Sequence, residues 1–200
     1  ARPKLICVDP DHEIRGHKHG LRAAVIRCLY PVNRGGQGLK EALDNVRAKV
    51  SAAIRDGARL IVLSDRESNE QLAPIPSLLS VSAVHHHLIK QGLRTSVGLV
   101  VETGEAHEVH QFCTLAGYGA EAINPYLAFE TLEAMLPDID EELTGEEVKT
   151  RYIKAIGKAI LKVMAKMGIS TYQSYCGAQI FDAVGLRSSF VEKYFTGTHT

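Results

Sequence analysis

The sequence contains no tryptophan, has an aromatic fraction of only 6%, and carries no net charge at neutral pH. A balance of 23 basic and 23 acidic residues argues against nucleic acid or an acidic membrane surface as the main partner. No apolar run approaches the ~18 residues of a membrane-spanning helix, and no segment resembles a signal peptide. The 200 residues are 45% hydrophobic, which is enough for one large domain with an aliphatic core.

Cysteine is scarce, and its spacing excludes several kinds of site. The four cysteines are Cys7, Cys28, Cys113 and Cys176, and no two of them form a CxxC pair. A zinc knuckle or an iron–sulfur loop within this chain is therefore not expected. Cys28 and Cys113 lie in apolar runs and are predicted to be buried thiols in a reducing compartment. The motifs GxGxxG, GxSxG and the P-loop are also missing.

Apolar periodicity predicts strands and helices that alternate along the chain. The predicted strands span residues 5–8, 23–30, 59–63, 96–101 and 121–123. The predicted helices span residues 39–56, 75–91, 105–116, 126–135 and 146–167, and Gly57, Gly92, Gly117 and Gly168 mark the ends of four of them. This order predicts an α/β fold with a parallel sheet, either a partial barrel or an open sheet.

Three segments fall outside this alternation. Residues 31–38, with two glycines at their centre, are predicted to be a loop, and residues 137–147 an acidic linker. After the long helix, the sequence predicts a helical C-terminal extension, with an extended piece at 171–175 and short helices near 178–184 and 189–195.

Polar residues close three successive predicted strands, in the runs IVLSDR, GLVVET and AEAINP. Parallel strands end at one edge of a sheet, where ligands bind in open α/β folds. The residues expected at that edge are Ser64, Asp65, Arg66, Glu102, Thr103 and Asn124. Asp65 and Arg66 are predicted to form an ion pair that fixes the loop, or to contact a substrate or a neighbouring domain.

The histidines and lysines are better explained by surface and packing than by metal binding. His85, His86 and His87 point in different directions on a helix and cannot all bind one metal ion. One of them is predicted to face the core or a neighbouring loop, and His86 is retained as a candidate for a domain contact. The pair in HEVH at 107–110 is spaced i, i+3 and misses the zincin pattern by one residue.

A lysine recurs every four residues on the long helix, at 154, 158, 162 and 166. This stripe predicts a solvated face or a contact with a neighbouring domain. Lys166 and, in the tail, Gln173 are the candidates for such a contact.

Long collinear runs resemble the large (α) subunit of glutamate synthase over about residues 60–198. They include LIVLSDR at 60–66, IPSLLSVSAVHHHLIKQGLRTSVGLVVETGEAHEVHQF at 75–112 and GYGAEAINPYLAFETL at 117–132. They continue with YIKAIGKAILKVMAKMGISTYQSY at 152–175, GAQIFDAVGL at 177–186 and YFTGT at 194–198. Two departures stand out: Cys176 replaces a common arginine, and Arg151 replaces a common asparagine. Loss of that arginine puts the usual packing of the tail in question.

The resemblance implies a large polypeptide with a glutaminase domain, a central domain, an FMN-binding barrel with a [3Fe-4S] cluster, and a β-helix. Such an enzyme reductively transfers the glutamine amide nitrogen to 2-oxoglutarate, giving two glutamates. The resemblance places residues 1–136 in the α/β portion of the central domain and residues 137–200 in a connection toward the FMN domain. It implies that this fragment scaffolds and couples the glutaminase and synthase sites, with no catalytic, cofactor-binding or metal-binding residue of its own.

The resemblance also implies the partners, and two alternative functions stay open. The partners are the glutaminase and FMN domains of the same polypeptide and an NAD(P)H-oxidising small subunit or ferredoxin, with no nucleic acid or membrane. The expected compartment is the cytoplasm, or the plastid in a photosynthetic eukaryote. One alternative is a free-standing binding or regulatory module derived from that domain. The other is an enzyme that uses Asp65, Glu102 and Asn124 on a small molecule.

Overall fold

The computed structural model describes residues 22–138 and 143–200. In chain order, its strands are β1 (Ala23–Arg27), β2 (Leu29–Pro31), β3 (Leu60–Ser64), β4 (Leu72–Pro74), β5 (Gly98–Glu102) and β6 (Ala122–Asn124). Its helices are α1 (Gly35–Arg55), α2 (Ser77–Lys90), α3 (Val109–Gly117), α4 (Tyr126–Ala134), α5 (Gly145–Lys166), α6 (Tyr172–Tyr175) and α7 (Ser188–Tyr194). Short 3₁₀ turns lie at Val32–Arg34, Arg94–Ser96 and Leu136–Asp138.

The predicted parallel sheet is confirmed. Strands β1, β3, β5 and β6 lie side by side in that order, all parallel. A helix lies in the chain between each of these four strands and the next one, so strands that follow one another in this series are neighbours in the sheet. Because the strands run in one direction, their carboxyl ends lie at one edge, and Ser64, Glu102 and Asn124 occupy equivalent positions there.

One hydrophobic core joins the sheet to the helices on both sides of residue 136. Ile61 and Leu99 of the sheet are fully buried, as is Val50 of α1. Helix α5 contributes Ile156 and Ile160 to the same core. The C-terminal helices therefore pack against the α/β portion through apolar contacts. No helix in the described ranges has the length and apolar character that crossing a membrane requires.

The predicted strand at 23–30 is divided into two strands that belong to different sheets. The chain leaves the parallel sheet at Cys28, whose backbone N–H donates to the carbonyl of Ser64 at 2.7 Å. Strand β2 then pairs antiparallel with β4. The sequence did not predict β4, because this strand has only three residues and ends in Pro74.

The predicted loop at 31–38 is wrong from residue 35 onward. The 3₁₀ turn at Val32–Arg34 runs directly into α1, which begins at Gly35. Gly38 is buried against the preceding turn, and a Cβ there would lie 3.2 Å from the Pro31 carbonyl oxygen. Gly38 therefore allows the helix to pack closely on the turn before it.

Two predictions for the tail are corrected. Residues 172–175 form the short helix α6 and not an extended piece, because the Thr171 hydroxyl accepts a hydrogen bond from the Ser174 N–H and caps the turn. The predicted helix at 178–184 is absent, since Gly177 and Gln179 both have positive φ angles, of 78° and 53°. Residues 182 and 199 instead form an isolated parallel bridge.

Several boundaries shift without changing the order of elements. Helix α3 begins at Val109 and not at residue 105, because residues 103–108 form a loop. The predicted linker at 137–147 ends early, since Thr144 caps α5. Residues 139–142 of that linker, and the predicted strand at 5–8, lie outside the described residues. The glycine with a positive φ after helix α3 is Gly119, at 110°, and not Gly117, which was predicted to end this helix.

Candidate functional site

The polar residues predicted at the strand ends come together at the carboxyl edge of β3, β5 and β6. Ser64, Glu102 and Asn124 are register partners on adjacent strands, so their side chains point to the same face of the sheet. All three are buried, with exposed fractions of 3%, 8% and 1%. We refer to these residues with Asp65, Arg66 and Thr103 as the strand-end network.

Glu102 is the centre of this network. Its carboxylate accepts a hydrogen bond from the Ser64 hydroxyl at 2.5 Å and another from the Arg66 Nε at 2.7 Å. Arg66 extends outward, where Nη1 contacts Glu130 at 3.3 Å and the guanidinium lies 4.1 Å from the centroid of the Tyr126 ring. Both oxygens of Glu102 thus have protein donors, and Arg66 ties strand β5 to helix α4.

Asp65 has separate partners, so the predicted Asp65–Arg66 ion pair is not formed. Its carboxylate accepts hydrogen bonds from the Thr103 hydroxyl at 2.6 Å and from the Gly104 N–H at 3.0 Å. Burial raises the pKa of the Asp65 carboxyl, and the Thr103, Tyr126 and Gly104 hydrogen bonds oppose that rise. Asp65 therefore fixes the β5–α3 loop, while Glu102 forms the ion pair with Arg66.

Glu105 in the same loop fixes the beginning of α2. Its carboxylate accepts from both the backbone N–H and the hydroxyl of Ser77, at 2.8 and 2.5 Å. It thereby satisfies a backbone donor that the first helical turn leaves unpaired. The sequence did not predict this role. The signal was present in principle, since an acidic residue in a strand-end loop is well placed to meet the N-terminus of a neighbouring helix.

Asn124 is the exception in this network. Among the residues that the structure describes, neither its amide nitrogen nor its amide oxygen has a hydrogen-bond partner, although both are buried. Burying an unpaired amide costs ~1–3 kcal/mol, so such a group calls for an explanation. Asn124 is thus the strand-end residue whose hydrogen-bonding capacity remains open.

The other three predicted contact residues lie away from the strand ends. His86 is buried on α2, and its Nε2 lies 3.3 Å from the Gln179 side-chain nitrogen. This agrees with the prediction that one histidine of the triplet faces a neighbouring segment. Lys166 and Gln173 are exposed, on α5 and α6 respectively. Exposure agrees with either solvent or a neighbouring domain as their surroundings.

His85 and His87 are also held by protein groups. Arg94 Nε donates to His85 Nδ1 at 2.9 Å, and the Ser51 hydroxyl lies 2.7 Å from His87 Nε2. Burial, with Arg94 nearby, lowers the pKa of His85 to about 4. The described part of the chain contains no group of three potential metal ligands. Each histidine of the triplet thus has a polar side chain of this chain within 3.3 Å of a ring nitrogen.

The tail is held against the amino-terminal side of β6, at the opposite end of that strand from Asn124. The Tyr172 hydroxyl donates to the Ala120 carbonyl at 2.7 Å, and the Tyr175 hydroxyl to the Cys113 carbonyl at 3.1 Å. The N–H of Gly177 donates to the carbonyl of Ala116 at 3.0 Å. These bonds hold residues 172–177 along helix α3 and the turn that follows it.

Cys176 sits in this arrangement as a small apolar group. Its thiol lies 3.5 Å from the Ala120 carbonyl oxygen, and burial raises its pKa to about 11. A thiol with such a pKa is a poor nucleophile at neutral pH. Arg94 supplies a positive charge nearby and pairs with Glu121 at 2.9 Å. The tail therefore packs on the body of the domain without an arginine at position 176.

We expect Glu102→Gln to lower the free energy of unfolding by about 2 kcal/mol, because it replaces charge-assisted hydrogen bonds to Arg66 and Ser64 with neutral ones. Urea unfolding measures the change. Glu67→Gln is the matched control, since the Arg27–Glu67 pair at 2.5 Å is exposed on both sides and should contribute less than about 0.5 kcal/mol. Equal losses in the two variants would contradict the central role of Glu102.

The sequence of this chain is similar to those of known proteins and matches one family model. Residues 8–187 match the family model described as "Glutamate synthase central domain". The "Glutamate synthase [NADPH] large chain" of Bacillus subtilis is 49% identical over 162 residues, which cover 81% of this chain and 11% of that protein. The "Glutamate synthase [NADH]" of Saccharomyces cerevisiae is 42% identical over 183 residues, covering 88% of this chain and 8% of that protein.

A plant protein gives a similar result. The "Ferredoxin-dependent glutamate synthase 2, chloroplastic" of Arabidopsis thaliana is 40% identical over 191 residues, covering 89% of this chain and 12% of that protein. The chain thus spans between 8 and 12% of the length of these three curated relatives.

Proposed function

Because the chain belongs to the glutamate synthase family and matches its central domain, we propose that it scaffolds and couples two active sites of such an enzyme. One site hydrolyses glutamine, and the other transfers the released nitrogen reductively to 2-oxoglutarate, giving two glutamates. Coupling two distant sites needs a rigid element that fixes their geometry and responds when one of them is occupied. A sheet and helices that share one core supply that rigidity.

The observation that carries this proposal is the internal hydrogen bonding of the two carboxylates in the strand-end network, those of Asp65 and Glu102. Both carboxylates at the edge already accept hydrogen bonds from Ser64, Arg66, Thr103 and Gly104. A general base or nucleophile acts through a carboxylate oxygen that reaches its substrate, whereas each oxygen of these two carboxylates already has a protein donor. The network instead fixes loops, which suits a face that meets other domains.

The division at residue 136 is part of the proposal. Residues 1–136 would carry the strand-end network, and residues 137–200 would lead toward the next domain. The hydrogen bonds from Tyr172 and Tyr175 support a firm connection, because they hold the tail on the body of the domain. Lys166 and Gln173, both exposed beside this connection, would contact a neighbouring domain.

We place the FMN and [3Fe-4S] groups of the family enzyme in other domains. The strand-end edge carries Asp65, Glu102 and Glu105, whose negative charges oppose a flavin phosphate. Of the cysteines that the structure describes, Cys28 and Cys113 are buried and Cys176 is partly buried, and the described residues hold no three-ligand cluster. The residues present do not fit either cofactor. Calorimetric titration of this chain with FMN should give no binding heat.

The electron donor and compartment belong to the same proposal. The relatives' names include NADPH, NADH and ferredoxin, so a nicotinamide-oxidising subunit or ferredoxin would be the external partner. The glutaminase and FMN domains of the same polypeptide would be the internal ones. We propose the cytoplasm as its compartment, or the plastid in a photosynthetic eukaryote.

Coupling can be tested by replacing Arg66 in a full-length glutamate synthase that contains this chain. Arg66 joins the β5 end to α4 through Glu102 and Glu130. We expect Arg66→Ala to raise the ratio of glutamine hydrolysed to 2-oxoglutarate converted by about threefold, because a small displacement at a coupled site has a large kinetic effect. Parallel assays of ammonia release and 2-oxoglutarate consumption measure that ratio.

The matched control is Arg27→Ala, which removes an exposed ion pair at the same edge of the sheet. It should leave the ratio unchanged. If Arg66→Ala changes the ratio no more than the control does, or slows both reactions equally, the proposed coupling role is wrong.

A further inference from the structure

An open cleft lies on the helical side of the molecule, away from the strand-end network. It has a volume of about 430 Å³ and is bounded by α1, α2 and α7. Helix α1 presents Leu39, Lys40 and Leu43, and helix α7 presents Phe190 and Lys193. Leu79 of α2 and Tyr194 of α7 complete the apolar lining. We call this feature the α1–α7 cleft.

The cleft is a groove between two helices whose apolar stripes face each other without closing. Its floor is formed by well-packed side chains, since Leu43, Leu79 and Tyr194 are each less than 7% exposed. Its walls are more open, with Leu39 and Phe190 only partly buried. Grooves of this kind receive the apolar side chains of an amphipathic segment.

Helix α7 is held firmly enough to form one wall. The Ser82 hydroxyl of α2 donates to the Tyr194 carbonyl at 2.5 Å, and the Phe190 ring packs against the rings of Tyr194 and Phe195. The Arg47 guanidinium lies 5.9 Å from the Tyr194 ring centroid. The separation of the two helices is therefore built into the fold.

Positive charge lies along the rim of the cleft. Among residues 22–138 and 143–200, neither Lys40 nor Lys193 has a carboxylate partner, and the Lys193 ammonium lies 4.9 Å from the Tyr194 ring centroid. The carboxylates nearest in sequence on α1 are engaged elsewhere. Glu41 pairs with Arg34 at 2.8 Å, and Asp44 pairs with Arg47. The rim therefore complements negative charge around an apolar centre.

We propose that the α1–α7 cleft docks an acidic amphipathic segment from another part of the same polypeptide. Its apolar side chains fill the space between Leu39, Leu79 and Phe190, and its carboxylates pair with Lys40 and Lys193. Most of the polypeptide is available to supply it, since this chain spans only 8–12% of the relatives' length. The inference rests on the proposed function only in that the chain works within a larger polypeptide.

Photo-crosslinking in the full-length polypeptide tests this docking. A benzophenone amino acid at exposed Ser189, on the wall of the cleft, should crosslink to a peptide from outside these 200 residues that carries carboxylates beside apolar residues. Charge reversal by Lys40→Glu with Lys193→Glu should lower the crosslink yield about tenfold, because two attractive contacts become repulsive.

The matched control is Lys49→Glu with Lys90→Glu. Both lysines are exposed, and Lys49 lies nine residues beyond Lys40, on the opposite face of α1. This variant should keep the yield within about twofold of the parent. Crosslinks confined to this chain would overturn the proposal, as would an equal yield in both variants. Crosslinks between isotopically distinct copies would show a second copy as the occupant.

The crosslink reports contact and not turnover, so its outcome is separate from the coupling ratio of the Arg66 variant. A crosslink to an outside segment with a normal coupling ratio would support docking and contradict coupling. The opposite pair of results would contradict docking and leave coupling supported.

Discussion

Gly119→Ala is expected to lower the free energy of unfolding by about 4 kcal/mol, which is a large fraction of the stability of a domain. Gly119 precedes strand β6 and has a φ of 110°, a backbone conformation that residues with a side chain rarely adopt. A Cβ at this position would lie 2.8 Å from Cγ and 3.0 Å from Cε1 of His85. Strain in the backbone and overlap with a buried ring therefore act together.

His85 has little room to move away. Arg94 holds its Nδ1 at 2.9 Å, and Gly177 of the tail lies so close on another side that a Cβ there would be 3.1 Å from Cε1 of the ring. Moving the ring would break the Arg94 bond or displace the tail. The clash at Gly119 should therefore spread to the contact between tail and domain, and the hydrogen bonds that hold residues 172–177 along α3 should weaken.

Two glycine controls separate the contributions. Gly57 has a φ of 94° but nothing within 4 Å of an added Cβ, so Gly57→Ala should cost about 1 kcal/mol from backbone strain alone. Gly157, in the middle of α5, is also open, and Gly157→Ala should stabilise the chain by about 0.5–1 kcal/mol. Urea unfolding of the three variants gives the values. A loss at Gly119 no larger than that at Gly57 would show that His85 is not fixed.

Acidification from pH 7 toward pH 4 is expected to remove about 3 kcal/mol of stability through His85 alone. Burial and the neighbouring Arg94 lower its pKa from 6.5 to about 4 in the folded chain. The hydrogen bond from Arg94 requires a neutral ring that accepts at Nδ1. In the unfolded state His85 is therefore protonated near pH 6.5, whereas in the folded state it is protonated only near pH 4.

Because of this difference in pKa, the folded chain loses stability as the pH falls. The contribution of His85 is complete above pH 6.5 and is lost as the pH falls toward 4. His86 and His87, whose pKa values are also lowered by burial, act in the same direction. Asp65 acts in the opposite direction, because a carboxyl with a raised pKa favours the folded state more at low pH. Arg94, which faces His85 and lowers its pKa, also pairs with Glu121 at 2.9 Å.

Urea unfolding at several pH values between 7 and 4.5 measures this dependence. His85→Gln should be less stable at pH 7 and should show a shallower slope, since the titrating group is gone. The control is His110→Gln on the exposed surface of α3, which should keep the parent slope. An unchanged slope in the His85 variant would show that this histidine does not carry the effect.

The order of strands and helices could be read from the sequence, because the period of apolar residues reports the local structure directly. Arg59 to Leu63, for example, predicted β3 within one residue of its observed start and end. The tail was less predictable. Residues 171–175 look extended by composition, but a side-chain cap at Thr171 and contacts with α3 make them helical. Such contacts join residues far apart in the chain, so local pattern does not reveal them.

By itself, the sequence determined the parallel α/β order and the edge at which Ser64, Glu102 and Asn124 would meet, since strands that alternate with helices run parallel and parallel strands end at one edge of the sheet. Only the tertiary structure decided their pairing. Glu102 takes Ser64 and Arg66, Asp65 takes Thr103 and the Gly104 N–H, and Asn124 is left with no partner in the described part of the chain. Hydrogen bonds depend on distances of a few tenths of an ångström between separate strands, which no sequence spacing specifies.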